Sequence, residues 1–345
     1  MNSADLYKNI RGCLIGVAAG DAMGMPTSMM SPETIRKVYP EYITSFLPAP
    51  IGHKLHSGMQ AGQVTDDTQQ TLILADSIIA CKGVDPEDIA RRLIQWGETN
   101  NAFNSMLVGP STLRALYAIR AGKAVTETGS VGDTNGAPMR IAPVGIYGKG
   151  DLDRTLKAVE LACLPTHNTN IAIAGSAAIA MAIGCAINGE KNVDLVIEAA
   201  LEAAEKGMLY GNIWYGASII KRTGVALEIV NQHFTRETRM RELYDVIGAG
   251  VQVSETVPLC LAVVKLANGD PVEAVQITAN LGGDCDTTGA IAGSICGAIA
   301  GSDAFPADWI RTLENVNRIS FNDYTEKLLG VLNEGQVYYK GQRNA

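Results

Sequence analysis

The sequence lacks the short motifs that mark the commonest cysteine, serine and phosphate-binding sites. No CxxC pair, no GxSxG elbow and no Walker or GxGxxG glycine loop occurs among its 345 residues. The first absence argues against a zinc or dithiol site, the second against an α/β-hydrolase serine, and the third against a nucleotide phosphate loop. An active site must therefore be built from other residues.

Charge is also scarce, and positive charge is in the minority. Charged residues make up 19% of the chain, and 28 Lys and Arg stand against 36 Asp and Glu, which gives a net charge of -8. Such a chain has no global positive field to hold a nucleic acid or an anionic membrane, so we expect neither as a partner. A small anionic ligand can still bind through local donors or metals.

The cysteines do not form a disulfide pattern. There are seven, an odd number, and most have apolar neighbours. This usage is typical of reduced thiols in the cytoplasm. Residues 1–12 lack the basic and then apolar layout of a signal peptide, so we expect a cytoplasmic protein.

Apolar residues recur mostly with a period near 3.6, and alternating strand-like runs are scarce, which predicts an all-α fold. The longest polar connections, about 40–64 and 121–137, are poor linkers, so we predict one domain over residues 1–345. The predicted helices are 5–24, 66–81, 86–98, 109–120, 151–163, 168–187, 193–207, 215–231, 257–267, 271–280, 287–300, 306–317 and 322–333.

Three of these helices carry ridges of small residues. Glycine recurs every fourth residue in two of them, which keeps the glycines on one helical face. Each interior glycine costs roughly 1 kcal/mol relative to alanine, so close packing must offset the cost. The uncharged segment 168–188 has a related alanine ridge, and we interpret it as a buried helix rather than a membrane span. The glycine ridges are Gly12, Gly16, Gly20 and Gly24, and Gly289, Gly293, Gly297 and Gly301.

Aspartates lie at the ends of the two glycine ridges. Asp21 is near the end of the first ridge, and Asp284 and Asp286 come just before the second. If the ridges pack antiparallel, these acidic ends meet. We predict this arrangement, with the ridges inside one chain and the protein a monomer or homodimer.

Two acidic segments, 65–68 (TDDT) and 282–288 (GGDCDTT), each open a predicted helix. Capping by Thr65 and the helix macrodipole explain part of the pattern. The segments contain no histidine, and oxygen ligands alone select hard cations such as Mg²⁺, Mn²⁺ or Ca²⁺ rather than zinc. Asp66 and Asp67 point about 100° apart on a helix and can serve two metals, which would activate a bridging water.

Other motifs have two interpretations each. The segment 133–140 (DTNGAPMR) either offers amides and Arg140 to a ligand or is a plain turn with a surface or buried, paired arginine. His167 at a helix start either binds a ligand or is structural. The aromatic segment 210–216 (YGNIWYG) either stacks on a base or sugar or packs in the core. Cys285 is a poor nucleophile, because its flanking aspartates should raise its pKa.

Together these segments resemble the ADP-ribosylglycohydrolases, in the family's order over most of the chain. The matching stretches are GCLIGVAAGDAMGMP (12–26), TDDT (65–68), NGAPMRIAPVG (135–145), TH (166–167) and GGDCDTTGAIAG (282–293). The resemblance implies an orthogonal multi-helix bundle that holds two Mg²⁺ or Mn²⁺ ions. It implies hydrolysis at the ribose anomeric carbon of ADP-ribosylated protein or ADP-ribose derivatives.

The resemblance also implies roles for individual residues. Asp67 or Asp286 would take a proton from the attacking water. The implied metal ligands are Thr65, Asp66, Asp67, Asp284, Asp286 and Thr287. The residues implied to lie near the substrate are Asn135, Gly136, Met139, Arg140, His167, Gly282 and Gly283.

This sequence departs from the family pattern at three positions. The first motif usually ends in a Glu that approaches the metals, and Ser28 stands there instead. Cys285 replaces the usual Thr, and Thr288 replaces an aliphatic residue. The loss of the Glu leaves two alternatives open: an N-glycosidase for a small nucleoside or ribosyl metabolite, and a catalytically silent ADP-ribose-binding protein.

Overall fold

The computed structural model describes residues 2–104 and 108–341, and this part of the chain contains helices and isolated bridges but no β-strand. The all-α prediction is confirmed. Short 3₁₀ helices lie at Met25–Thr27, Ala102–Asn104, Pro138–Arg140 and Ser302–Ala304, and a π-helix at Leu243–Ile247. The α-helices are α1 (Ser3–Gly24), α2 (Pro32–Val38), α3 (Asp66–Cys81), α4 (Pro86–Thr99), α5 (Pro110–Arg120), α6 (Val125–Thr128), α7 (Ala142–Gly148), α8 (Leu152–Cys163), α9 (Asn170–Ile187), α10 (Val193–Gly207), α11 (Ile219–Asn231), α12 (Arg236–Glu242), α13 (Val253–Leu266), α14 (Pro271–Leu281), α15 (Cys285–Ala300), α16 (Ala307–Asn317) and α17 (Phe321–Gly341).

The helices that the sequence did not predict are short. α2, α7 and α12 have seven residues each and α6 has four, which is too few to show a helical period. α13 begins at Val253, four residues before the predicted start, so Pro258 lies inside the helix and not in its first turn. Proline lacks the N–H that would bond to Ser254 O, and Arg222 Nη1 donates to that oxygen instead at 3.0 Å.

The antiparallel contact of α1 and α15 lies at the centre of the fold. A Cβ added to Gly12 would overlap the backbone oxygen of Gly297, and one added to Gly20 would overlap that of Gly289. Since the partner number falls as the position along α1 rises, the helices run antiparallel, as predicted. Backbone contact this close excludes any side chain, which explains the glycine spacing.

α9 is the apolar core helix that the uncharged segment predicted. It is long and apolar enough to cross a membrane, and 94% of it is buried inside the structure. It packs against α7, α8, α10, α13 and α15. A Cβ added to Gly207 of α10 would lie 2.8 Å from Ala174 Cα, so small residues allow close approach here as well. The single domain over residues 1–345 stays a prediction.

Replacing Gly16 with Ala should destabilise the protein by roughly 3 kcal/mol, because the new Cβ would overlap the backbone of Gly293. Gly224→Ala is the matched control. Gly224 also lies inside a helix, α11, but nothing lies within 4 Å of an added Cβ. That substitution should stabilise the protein by about 0.5–1 kcal/mol. Urea denaturation measures both values, and a Gly16→Ala variant as stable as the wild type would contradict the backbone contact.

Candidate active site

Asp21 joins the end of α1 to the start of α3. Its carboxylate accepts hydrogen bonds from the N–H groups of Thr65 and Thr68 at 3.0 Å and from the Thr68 hydroxyl at 2.5 Å. It therefore caps a helix that is remote in the sequence, at the end where the macrodipole favours a negative charge. Burial raises the pKa of Asp21 to about 6, although these hydrogen bonds oppose the shift.

The starts of α3 and α15 bring the two acidic segments together, as predicted. Thr65 is the N-cap of α3, which confirms its capping role; its oxygen accepts from Asp67 N–H at 3.4 Å, and its hydroxyl donates to Asp67 Oδ2 at 3.1 Å. Asp284 precedes α15, and Asn135 Nδ2 donates to Asp284 Oδ2 at 2.6 Å. Asn135 thus lies beside the acidic cluster, and its expected place near the substrate stays a prediction.

Burial, followed by the crowding of negative charges, raises the pKa values of most of these carboxylates. Burial, followed by the charges of Asp286 and Asp21, raises the pKa of Asp66 to about 8. Burial and neighbouring carboxylates also raise the pKa values of Asp67 and Asp284 well above their usual range. In the absence of a cation the cluster must therefore retain protons at neutral pH.

Asp286 is the exception, because a histidine and a serine hold both of its oxygens. Ser28 Oγ donates to Asp286 Oδ1 at 2.7 Å, and His56 Nε2 lies 3.0 Å from Oδ2. Burial acts to raise the pKa of Asp286, but His56 and then Ser28 outweigh it and lower the pKa to about 2. Burial acts to lower the pKa of His56, and Asp286 reverses this and raises it.

Sequence analysis missed His56, which lies in the long 40–64 connection. It is 230 residues from its partner Asp286, so no local pattern joins the two. His53 fixes the loop: its Nδ1 accepts from the N–H of His56 at 3.0 Å, which leaves Nε2 to donate to Ser28 O at 3.0 Å. The two rings stack with centroids 5.1 Å apart. The H-x-x-H spacing at 53–56 was the one available signal.

The acidic cluster lines a cavity of about 260 Å³. Met29, which is 43% exposed, and Leu55 form part of its wall. Thr65 lies behind the wall, bonded to Asp67. The predicted site residues that line the cavity are Asp66, Asp67, Asn135, Gly136, Met139, Asp284, Asp286 and Thr287.

Arg140 and His167 do not line the cavity, and their expected place near the substrate stays a prediction. Both are buried, with 1% and 0% exposure. Arg140 donates to Gln70 Oε1 and Thr166 Oγ1, which agrees with the buried, paired alternative. His167 packs behind Gly136, where an added Cβ would lie 2.9 Å from His167 Cε1. This packing agrees with the interpretation of His167 as a structural residue.

Gly282 and Gly283 also lie outside the cavity lining, and their expected place near the substrate stays a prediction. Their φ angles are +99° and +81°, a region that favours glycine. Gly283 exchanges backbone hydrogen bonds with Met29 and Met30 at 2.6 and 2.8 Å. The two glycines therefore form the turn that sets Asp284 beside the Ser28 loop.

The aromatic segment 210–216 does not line the cavity either. Trp214 Nε1 donates to Asp133 Oδ2 at 3.2 Å, and the ring packs against the core. Tyr215 is 79% exposed. The packing alternative therefore holds for Trp214.

Cys285 lies between two of the aspartates and is fully buried. Burial is the largest cause that raises its pKa, to about 12, and the charge of Asp286 adds to it. The thiol is a poor nucleophile, as expected, but mainly because of burial rather than the charge of its neighbours.

Comparison with known proteins identifies the family. The model of the ADP-ribosylglycohydrolase family matches residues 2–337. The chain belongs to the ADP-ribosylglycohydrolase family. It is 39% identical to the uncharacterized protein YegU of Escherichia coli K12, over 98% of this chain and 99% of that protein. It is 26% identical to the human ADP-ribosylhydrolase ARH3, over 90% and 91% of the two chains.

A bacterial enzyme and a solved structure extend the comparison. The chain is 24% identical to the ADP-ribosyl-[dinitrogen reductase] glycohydrolase of Rhodospirillum rubrum, over 91% and 93% of the two chains. A solved ADP-ribosylglycohydrolase-related protein complex superimposes with a TM-score of 0.67 at 23% identity, over 96% of this chain and 99% of that one. The shared fold confirms the predicted ADP-ribosylglycohydrolase bundle. Members of this family hydrolyse glycosidic bonds, so the protein is a glycosidic-bond hydrolase, also as predicted.

The oxygen donors of this ADP-ribosylglycohydrolase site fit a hard divalent cation. Carboxylate oxygens are the ligands that Mg²⁺ and Mn²⁺ prefer, and Asp67 Oδ1 is buried without a hydrogen-bond partner. Within residues 2–104 and 108–341, no three Asp, Glu, His or Cys side chains already surround one point as metal ligands. Threonine or water oxygens would therefore complete the coordination of a cation here.

Without divalent metal, the stability of this ADP-ribosylglycohydrolase should fall as the pH rises from about 4 to about 8. The unfolded chain loses the Asp66 proton near 3.8, whereas the folded protein keeps it up to about 8. Between these values the folded state binds more protons, so a rising pH favours unfolding. Thermal melting in EDTA measures the trend. Asp66→Asn should flatten it, and a melting temperature that rises through this range would contradict the shift.

Proposed function

We propose that the protein is a divalent-metal-dependent glycohydrolase that cleaves at the ribose anomeric carbon of ADP-ribosylated protein or ADP-ribose derivatives. The observation that carries the proposal is the convergence of four aspartates, from the starts of α3 and α15, on one cavity. They are Asp66, Asp67, Asp284 and Asp286. The family supports the hydrolysis of ADP-ribosylated substrates.

Two Mg²⁺ or Mn²⁺ ions are the proposed cofactors. Each helix start offers two carboxylates and one threonine, so the two starts supply two sets of oxygen ligands. When bound, the cations would orient the ribose hydroxyls and acidify a water between them. The proposed ligands are Thr65, Asp66 and Asp67 on one side and Asp284, Asp286 and Thr287 on the other.

Hydrogen bonding separates the roles of the two candidate proton acceptors. Both oxygens of Asp286 are already held, by Ser28 and His56. Asp67 Oδ1 has no partner and is buried. Bound cations would displace the proton that Asp67 holds in their absence. The difference in hydrogen bonding then favours Asp67 as the group that takes the proton from water, with Asp286 held in a fixed orientation. Glycosidic cleavage develops positive charge on the sugar, which the carboxylates stabilise.

A small ribosyl metabolite or nucleoside is a second candidate substrate, and the cavity volume favours it. About 260 Å³ is smaller than the roughly 300–1,000 Å³ of pockets that enclose drug-sized ligands. Ser28, which stands at the family's Glu position, is buried and bonded to Asp286. Ser28 therefore has no free polar group that could contact a leaving group attached to a protein.

We also propose a cytoplasmic location and a monomer or homodimer without nucleic-acid or membrane partners. All seven cysteines are free and five are buried, which suits a reducing compartment. The glycine ridges pack inside the chain and so do not serve an interface. The net charge of -8 disfavours polyanions.

Asp66→Asn and Asp67→Asn should each lower turnover by more than about 100-fold, because each removes a charged ligand of the proposed metal site. Purified protein with Mg²⁺ or Mn²⁺ is tested against ADP-ribosyl-arginine, ADP-ribosyl-serine, ADP-ribose esters and free nucleosides. The substrate that is cleaved distinguishes the two candidates. Asp308→Asn, at an exposed position on α16, is the control and should keep full activity. Full turnover by both site variants, and in EDTA, would exclude the metal mechanism.

A further inference from the structure

A chain of buried hydrogen bonds runs behind the cavity, from α3 to the loop before α7. Its members are all polar, none is more than 4% exposed, and none lines the cavity. Buried polar groups are costly unless each has a partner, so such a chain requires a consistent set of donors and acceptors. The members are Gln70, Thr134, Arg140, Thr166 and His167.

Arg140 fixes the orientation of the Gln70 amide. Its Nη1 donates to Gln70 Oε1 at 2.7 Å, and a guanidinium can only donate, so the amide oxygen must face it. The amide nitrogen then faces Asp66 and donates to Oδ2 at 2.9 Å. The reversed amide would set its N–H groups against the guanidinium and its oxygen against a carboxylate.

The other nitrogen of Arg140 continues the chain of bonds on the opposite side. Nη2 donates to Thr166 Oγ1 at 2.5 Å, and the same oxygen lies 2.8 Å from His167 Nδ1. His167 Nε2 in turn lies 3.2 Å from Thr134 Oγ1. Because a neutral imidazole carries one proton, it donates to one of these two threonines and accepts from the other. The second branch therefore runs unbroken from the guanidinium to Thr134.

Thr134 connects this branch to a second carboxylate of the cluster. It forms an isolated bridge with Gln252, and its neighbour Asn135 bonds through N–H to Val251 O at 2.9 Å. Asn135 Nδ2 donates to Asp284 Oδ2 at 2.6 Å. One guanidinium thus connects to Asp66 on α3 and to the loop that holds Asp284.

We propose that Arg140 is a positioning residue for the metal-binding carboxylates. It orients Asp66 through Gln70, and it fixes the loop before α7 through Thr166 and His167. The inference rests on the proposed metal-dependent function. Both described partners of this buried cation are neutral, and the nearest negative charge along the chain of bonds is Asp66. A buried charge in that setting is explained by what it orients rather than by an ion pair.

Calorimetric titration of the full chain with Mn²⁺ measures the Kd and so tests the proposal. Arg140→Lys keeps the positive charge but cannot donate in two fixed directions. We expect the Kd for Mn²⁺ to rise about 10–100-fold, the usual effect of losing a partner that orients a metal ligand. Gln69→Met is the matched control: Gln69 Oε1 accepts from Trp96 Nε1 at 2.8 Å, and its variant should bind as the wild type does.

Gln70→Met is the second variant, and it should raise the Kd as well. If Arg140 acts on Asp66 through Gln70, the effects of the two substitutions on the Kd will not add in the double variant. Thermal melting without metal reports on the fold in parallel. A lower melting temperature with an unchanged Kd would overturn the inference and leave the proposed function standing. A wild-type protein that binds no Mn²⁺ would overturn both.

Discussion

The structure depends on one contact, in which the backbones of α1 and α15 touch along two rows of glycine. This contact sets the ends of the helices side by side with no side chain between them. Asp21 at the end of α1 then reaches the first turn of α3, and Asp286 at the start of α15 lies close enough for its charge to act on Asp21. The acidic cluster is therefore placed by a packing constraint that contains no acidic residue.

The concentration of carboxylates in the cluster destabilises the folded protein when they are ionised. Five aspartates lie close together, and each draws on a different donor: Asp21 on a helix start, Asp66 on Gln70, Asp67 on Thr65, Asp284 on Asn135 and Asp286 on Ser28 and His56. These donors fix the carboxylates without neutralising them. Only protons or cations can do that, which is why the raised pKa values and a fit for hard cations occur together.

The sequence was informative where a regular element carries the signal. The glycine spacing predicted the antiparallel contact because it repeats with the helical period. The Asp/Thr segments predicted the acidic cluster because each opens a helix at the end of a glycine ridge or opposite it. The 40–64 connection has no period, so His56 could be found only through its contact with Asp286. The two interpretations of Arg140 stayed open for a related reason: an arginine in a glycine-containing turn suggests an anion, and only tertiary packing shows that it is buried and paired.

The glycine contact also limits how this protein can evolve. At every ridge glycine except Gly301, an added Cβ would meet a backbone oxygen of the other helix, so no second substitution in the partner can create the missing space. The two helices are therefore fixed as a pair, together with the helix starts that carry the aspartates. Leu55 reaches the same cavity from an irregular loop and is under no such restriction. New substrates can be acquired there while the acidic centre stays unchanged.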